Sequence, residues 1–147
     1  MPVYSVRGSL TAGKAAVADQ LSFVPLVNMR VKVRGIVIGN QAATAAAASG
    51  WQLITAVTTP TGTAFTPIAM DRDAPAARCT AKSTITANAA GTVVVLDEWA
   101  FDAVGHFENW YPPGTEPVIS TTTADCVLRK SVGADTNIWN STLYFEE

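Results

Sequence analysis

MRVKVRGIVIG, residues 29–39, alternates: Met29, Val31 and Val33 fall on one side of an extended chain and Arg30, Lys32 and Arg34 on the other. Successive side chains of a strand point to opposite faces, so this period of two reads as a half-buried strand with a basic outer face. Its neighbours extend the pattern. VYSVRGSL (3–10) alternates before Thr11-Ala12-Gly13, and WQLITAVTT (51–59) runs into Pro60-Thr61-Gly62-Thr63 and then AFTPIAM, a spacing that predicts a hairpin. CTAKSTIT, TVVVLDEWAF, GHFENWY, PVIS, DCVLRKSV and NIWNSTLYFEE continue a series of β-branched segments with turn signals about every ten residues. Only QAATAAAASG (41–50) reads as helix, an alanine run closed by Gly50. Roughly eight to ten short strands and one brief helix predict an all-β fold, an antiparallel β-sandwich or jelly roll, in one domain spanning residues 1–147.

A competing reading sits at residues 8–15, GSLTAGKA. Gly8, Gly13 and Lys14 have the G-x-x-x-x-G-K spacing of a phosphate-binding loop, and VVVLDE (93–98) resembles the apolar strand ending in acids that serves magnesium in many NTPases. The position that would bind the metal is Ala15, which has no oxygen to offer, and Pro25 leaves room for only about two helical turns after Lys14. The β series also lacks the crossover helices such a site requires. GSLTAGKA therefore reads as a strand end and a turn, and VVVLDE as a buried strand reaching a polar end.

Composition narrows the function classes. Ten Lys and Arg against twelve Asp and Glu give a net charge of −2, which argues against general nucleic-acid binding by overall charge, though not against a local basic strip; no specific nucleic-acid partner is expected. Charged residues are 15% of the chain, below the usual quarter, so Thr, Ser and Ala must cover much of the surface, as on a protein packed against neighbours. No run of 18 apolar residues predicts a membrane span, and MPVYSVRGS has no secretory-signal pattern. Cys79 and Cys126 would bridge only on neighbouring strands, and one pair in a chain without an export signal reads as reduced.

The remaining constellations are incomplete. His106 and Glu108 form H-F-E, yet the P-C-x-x-C of a zinc deaminase is missing, and His106 reads as an outward histidine beside an acid. Asp97, Glu98, Asp102 and Glu108 crowd one region; a glycosidase pair, a calcium site and a solvated strand end all fit, the last most simply. Asn140-Ser141-Thr142 matches a glycosylation acceptor, a short pattern without meaning outside a secretory route. No catalytic residue, metal or cofactor is expected.

The aromatic cluster Trp99, Phe101, Phe107, Trp110 and Tyr111 carries more information, and Trp110-Tyr111 leads into Pro112-Pro113-Gly114. Alternation along GHFENWY puts His106, Glu108 and Trp110 on one face and Gly105, Phe107 and Asn109 on the other. Trp110 either plugs one end of the sandwich or anchors a protein contact, where Trp and Tyr are enriched. The expected partner-binding residues are Trp110, Tyr111, Pro112 and Pro113, with Tyr111 the clean interface probe, and the basic strip Arg30, Lys32 and Arg34, free to meet solvent or an acidic partner.

Taken in order, the MPVYSVRGS opening, RGIVIGNQAATAAAASGWQL, FTPIAMDRDAPAA, the aromatic strand before YPPGTEPVIS and the LYFEE close resemble small structural proteins of tailed phages across nearly the whole chain. The resemblance implies a virion component, a capsid decoration (cement) protein of jelly-roll or related sandwich fold. It further implies the major capsid protein as partner, a homotrimer, and a place on the capsid surface after synthesis in the bacterial host cytoplasm. A receptor- or carbohydrate-binding module using Trp99, Trp110 or Trp139 as a stacking platform is the alternative.

Overall fold

The β-branched segments do form strands. A computed structural model describes residues 1–10, 17–26, 28–42, 48–102, 105–120, 124–132 and 138–147. Among them run twelve strands: β1 (Val3–Leu10), β2 (Ala18–Val24), β3 (Val31–Ala42), β4 (Ala48–Thr58), β5 (Thr61–Phe65), β6 (Ile68–Ala69), β7 (Thr80–Ala87), β8 (Ala90–Asp102), β9 (His106–Trp110), β10 (Val118–Ile119), β11 (Asp125–Val132) and β12 (Ile138–Glu146). The count exceeds the expected range because long segments divide at bends and short edge pieces add to it.

The pairing is nested. β1 lies antiparallel to β12, β2 to β11, β3 to β9 and β10, β4 to β8, and β5 to β7. The chain is thus one long antiparallel ribbon, and rolling it up brings β12 against β3, β11 against β4 and β7 against β2. Two sheets result. One has the order β10-β3-β12-β1-β6 with β9 also on β3, and the other the order β5-β7-β2-β11-β4-β8. They pack face to face as a β-sandwich in the strand order of a jelly roll.

Alternation decides what lies between the sheets. Val31 and Val33 of β3 are wholly buried, as alternation from Met29 requires, and Ile36 and Ile38 are wholly buried as well because the register shift at Arg34 reverses the parity of the strand beyond it. Aromatic pairs join the two layers: Phe23 of β2 stacks on Phe145 of β12 at 4.8 Å, and Trp51 of β4 meets Trp139 of β12 edge-on at 5.5 Å. Such pairs contribute about 0.5–1.5 kcal/mol each beyond their buried area. Cys79 and Cys126 lie in this core as free thiols, and burial pushes both thiol pKa values up, so they stay protonated.

Two expectations are corrected, and a third falls partly outside the described residues. The helix over 41–50 is absent at both ends, because Gln41 and Ala42 finish β3 and Ala48 to Gly50 begin β4; residues 43–47 lie outside the described residues. Sheet pairing overrides the helix propensity of alanine there. WQLITAVTT and AFTPIAM do not form a hairpin: β4 pairs with β11 and β8, and β5 pairs with β7 at the far side of the same sheet. GSLTAGKA ends β1 at Leu10, and its Gly13, Lys14 and Ala15 fall outside the described residues.

How β4 and β5 reach opposite sides explains a second small core. The ribbon formed by β4–β5 and β7–β8 bends at Thr59-Pro60 and Asn88-Ala89 and crosses the outer surface of β2 and β11. There Ile54, Ala56, Ala89 and Val127 bury one another. Polar contacts fasten the crossing. Asp19, 1% exposed, accepts from Arg129 Nε at 2.5 Å and from the Ala89 N–H at 2.5 Å, while Arg129 Nη2 donates to the Ala89 carbonyl at 2.8 Å. Thr59 Oγ1 donates to Asp125 at 3.0 Å and Lys82 Nζ to the Pro60 carbonyl at 3.1 Å. Satisfying these buried groups from both sides holds the ribbon to the sheet.

Candidate interaction face

The outer face of the β3-containing sheet is ordered in rows, because directly opposed residues on neighbouring strands point the same way. One row runs across five strands: Ile68 of β6, Ser5 of β1, Tyr144 of β12, Gly35 of β3 and Trp110 of β9. Ile68 is 63% and Trp110 49% exposed, whereas small residues, Ser5 and Gly35, occupy the positions between the large ones. Glycine at 35 is what allows the indole to lie on the sheet: a Cβ there would come within 2.6 and 2.7 Å of Trp110 Cζ3 and Cδ2. The Trp110 and Tyr144 rings sit 4.9 Å apart, tilted by 30°, and Trp110 Nε1 donates to the Glu108 carboxylate. The ring is held on one face and open on the other.

A polar row lies alongside: Arg7, Thr142, Val37 and Glu108, with Asn140, Gly39 and His106 beyond it. Below the aromatic row, Lys32 stands on the same face, and Arg34 occupies a bulge where β3 and β12 shift register. Two groups of residues that the sequence treats separately, the aromatic strand and the basic strip, therefore share one surface.

Arg34 is nevertheless not free for a partner. Its guanidinium bridges the carboxylates of Glu116 and Glu146, whose side chains are 3% and 7% exposed. The carboxyl of Glu116 is held below its ordinary range by its own backbone N–H, that of Gly114, and Arg34. This ion-pair cluster ties the segment after β9 to the C-terminal strand. Lys32 is half-buried and Arg30 exposed, so the strip divides into one structural arginine and two outward cations.

Trp110 and Tyr111 also exchange the roles expected of them. Tyr111 turns inward, packs on the core, and donates its hydroxyl to Asp97 at 2.8 Å; burial first, then Asp97, pushes its pKa up. Trp110 is the exposed member. Pro112, Pro113 and Gly114 form an exposed turn closed by the Thr115 N–H to Pro112 carbonyl bond at 3.0 Å, with Gly114 at φ 93°, where glycine carries no steric penalty. On either side of that turn, the Tyr111 N–H donates to the Arg34 carbonyl at 3.0 Å and the Val33 N–H to the Pro117 carbonyl at 2.9 Å.

Of the other platform candidates, Trp139 is wholly buried and Trp99 packs half-buried on Phe107 at 5.2 Å. The crowded carboxylates are engaged separately: Asp97 accepts from Tyr111, Glu98 from Gln52 at 3.1 Å and Glu108 from Trp110. Sequence reasoning missed Tyr144, Ile68 and Gly35, whose membership in the row depends on cross-strand register. The one local hint is a glycine inside a β-branched run, which marks a close approach. No family model, no curated protein and no solved structure matches this chain.

Proposed function

We propose that this protein is a virion structural protein, a capsid decoration or cement protein that binds the shell of major capsid proteins as a homotrimer on the capsid surface and stabilises it by binding alone. The observation that carries the proposal is the ridge from Ile68 through Tyr144 to Trp110. It is an exposed apolar strip on a sheet whose strands are paired and rigid, with Arg7, Lys32 and Glu108 at its margins. Trp and Tyr anchors rimmed by polar groups are the anatomy of a protein-binding surface, and a rigid sheet loses little entropy on docking. A protein that spans several shell subunits must be displaced from all of them at once, so modest contacts stabilise the shell effectively. The phage resemblance of the sequence supports the same reading.

The test is co-sedimentation of purified protein with assembled, undecorated shells of the tailed phage carrying this sequence. Trp110→Ala should weaken binding by at least about thirtyfold, the loss of a central anchor. Unchanged binding would remove the ridge from the interface.

A second reading rests on a different observation. A cleft of about 440 Å³ lined by Arg7, Ser83, Thr84, Asn140 and Thr142 opens next to the ridge. Hydroxyl, amide and guanidinium groups lining a cleft suit a sugar ring, and the exposed indole of Trp110 stands three strands away on the same sheet face, which is the carbohydrate-binding alternative. Binding on a glycan array, lost in Trp110→Ala, would favour it over attachment to shells.

A further inference from the structure

VVVLDE is not buried. β8 is the outermost strand of its sheet, and Val93, Val94, Val95 and Leu96 are 38%, 53%, 47% and 37% exposed. Among the described residues β8 pairs with β4 alone, which leaves the backbone groups of its other edge without a strand partner. The other outermost strands are short, at five residues for β5 and β9 and two for β6 and β10, and the part of β1 that β6 leaves uncovered carries Arg7, whereas β8 has thirteen residues. A long edge with apolar residues on both faces is a template for another strand, and folded proteins that stay monomeric shorten it or place charges on it. Here residues 91–96 carry no charge.

We infer that β8 pairs antiparallel with β8 of a second copy of this chain, about a two-fold axis at Val94. A two-fold contact needs a self-complementary strip. Valines at 93, 94 and 95 supply one: Val94 faces Val94 of the second copy, and Val93 faces its Val95 on the opposite side of the joined sheet. Charge selects this register and this direction. Centred on Val94, Asp97 and Glu98 stand opposite the small neutral residues Gly91 and Ala90. A parallel in-register pairing, or a centre displaced toward Glu98, sets carboxylates against carboxylates. Bulges limit the paired run, since β8 shifts register against β4 at Leu96 and between Ala90 and Val93. A short run predicts a weak dimer, one that copies concentrated side by side on a surface would form. The contact lies on the other sheet from the Trp110 ridge and does not depend on what the ridge binds.

The full-length protein is measured by sedimentation equilibrium over a range of concentrations together with Val94→Lys, which places two cations opposite each other at the axis of an already exposed site. Wild type should show a mass, in multiples of the 15.4 kDa chain, that rises with concentration through pairing, and Val94→Lys should weaken this concentration-dependent step at least tenfold, with its thermal melt unchanged. A second variant reads the register directly: Val94→Cys should form an interchain disulfide under mild oxidation, and Val57→Cys, exposed on the adjacent strand, should not. Wild type that remains monomeric at all concentrations, or association equally strong in Val94→Lys, overturns the proposal. A monomer whose attachment to shells is lost in Val94→Lys also overturns it, and assigns the edge to an added strand from the shell protein.

Discussion

Gly35→Ala should dislodge Trp110 without removing it. Gly35 is not among the glycines with positive φ, which are Gly91 and Gly114, so an alanine meets no backbone penalty at 35 and only the indole stands in its way. The added methyl would lie 2.6 and 2.7 Å from ring carbons, whereas carbon atoms pack at about 3.5–4.0 Å, so the ring must withdraw by about 1 Å or swing off the sheet. Trp110 is 49% exposed, which leaves on the order of 100 Å² of its surface covered. Losing all of that contact costs about 2.5 kcal/mol at 25 cal/mol per Å², an upper bound. Alanine in place of glycine in a strand returns about 0.5–1 kcal/mol by restricting the unfolded chain. The net loss is about 1.5–2 kcal/mol, a fall in Tm of about 4–8 °C. Circular-dichroism melts read the stability, and tryptophan emission reads the ring: Trp51 and Trp139 are buried and half-buried Trp99 sits on the other sheet from Gly35, so a red shift on substitution, measured in a Trp99→Phe background, reports Trp110. Shell attachment should fall as it does in Trp110→Ala although the indole is still present. A Gly35→Ala protein with unchanged Tm and unchanged emission would refute the packing of Trp110 on β3 and, with it, the ridge.

Arg34→Ser should lower Tm by several degrees, because it leaves Glu116 and Glu146 without their cation; Arg30→Ser with Lys32→Ser should leave Tm within about 2 °C and make attachment to shells less salt-dependent. Tyr111→Phe, which loses only the hydroxyl on Asp97, should cost about 1 kcal/mol in melts and nothing in attachment. Two carboxyls should shape stability against pH in opposite senses. The pKa of Glu116 is depressed in the fold, so its contribution is complete above its ordinary 4.5 and is lost as pH falls through the folded value; Glu116→Gln should flatten that acid limb of a Tm–pH curve. Asp125 is raised from 3.8 by burial, so it costs stability at neutral pH and that cost is relieved as pH falls through its folded value toward 3.8; Asp125→Asn should remove this opposing slope.

What was legible in the sequence was parity, and what was hidden was pairing. Val31 and Val33 point inward and Trp110 shares a face with His106 and Glu108 because alternation is a property of each strand by itself. Alternation does not identify the neighbouring strand. VVVL looks like a buried strand by composition, and it would be one in the middle of a sheet; at the edge the same residues are exposed. The same ambiguity misplaced AFTPIAM, whose nearness to WQLITAVTT suggests a hairpin although the ribbon carries the two strands apart. Tyr111 follows from geometry of another kind. It lies just past the end of β9, where the chain leaves the pleat, and alternation still sets it opposite Trp110; its inward orientation makes it part of the core and not the clean interface probe the aromatic cluster suggests.

Arg34 marks the limit of the pattern argument most sharply. By alternation it is the third cation of an outward strip, equivalent to Arg30 and Lys32, and nothing within residues 29–39 distinguishes it. Its partners come from the segment after β9 and from the last strand, brought together only when the ribbon is rolled and β3 lies between β10 and β12. The ridge depends on the same rolling, since Ile68, Ser5, Tyr144, Gly35 and Trp110 come from five strands scattered along the chain. Arg34 and Gly35 are adjacent in the β3 bulge, so the ion pairs that anchor the segment after β9 also anchor the strand on which Trp110 rests. Loss of the Arg34 pairs should then reach the ridge through β9: Arg34→Ser is expected to red-shift Trp110 emission as well as lower Tm, whereas a ridge independent of the clamp would leave the emission where it was.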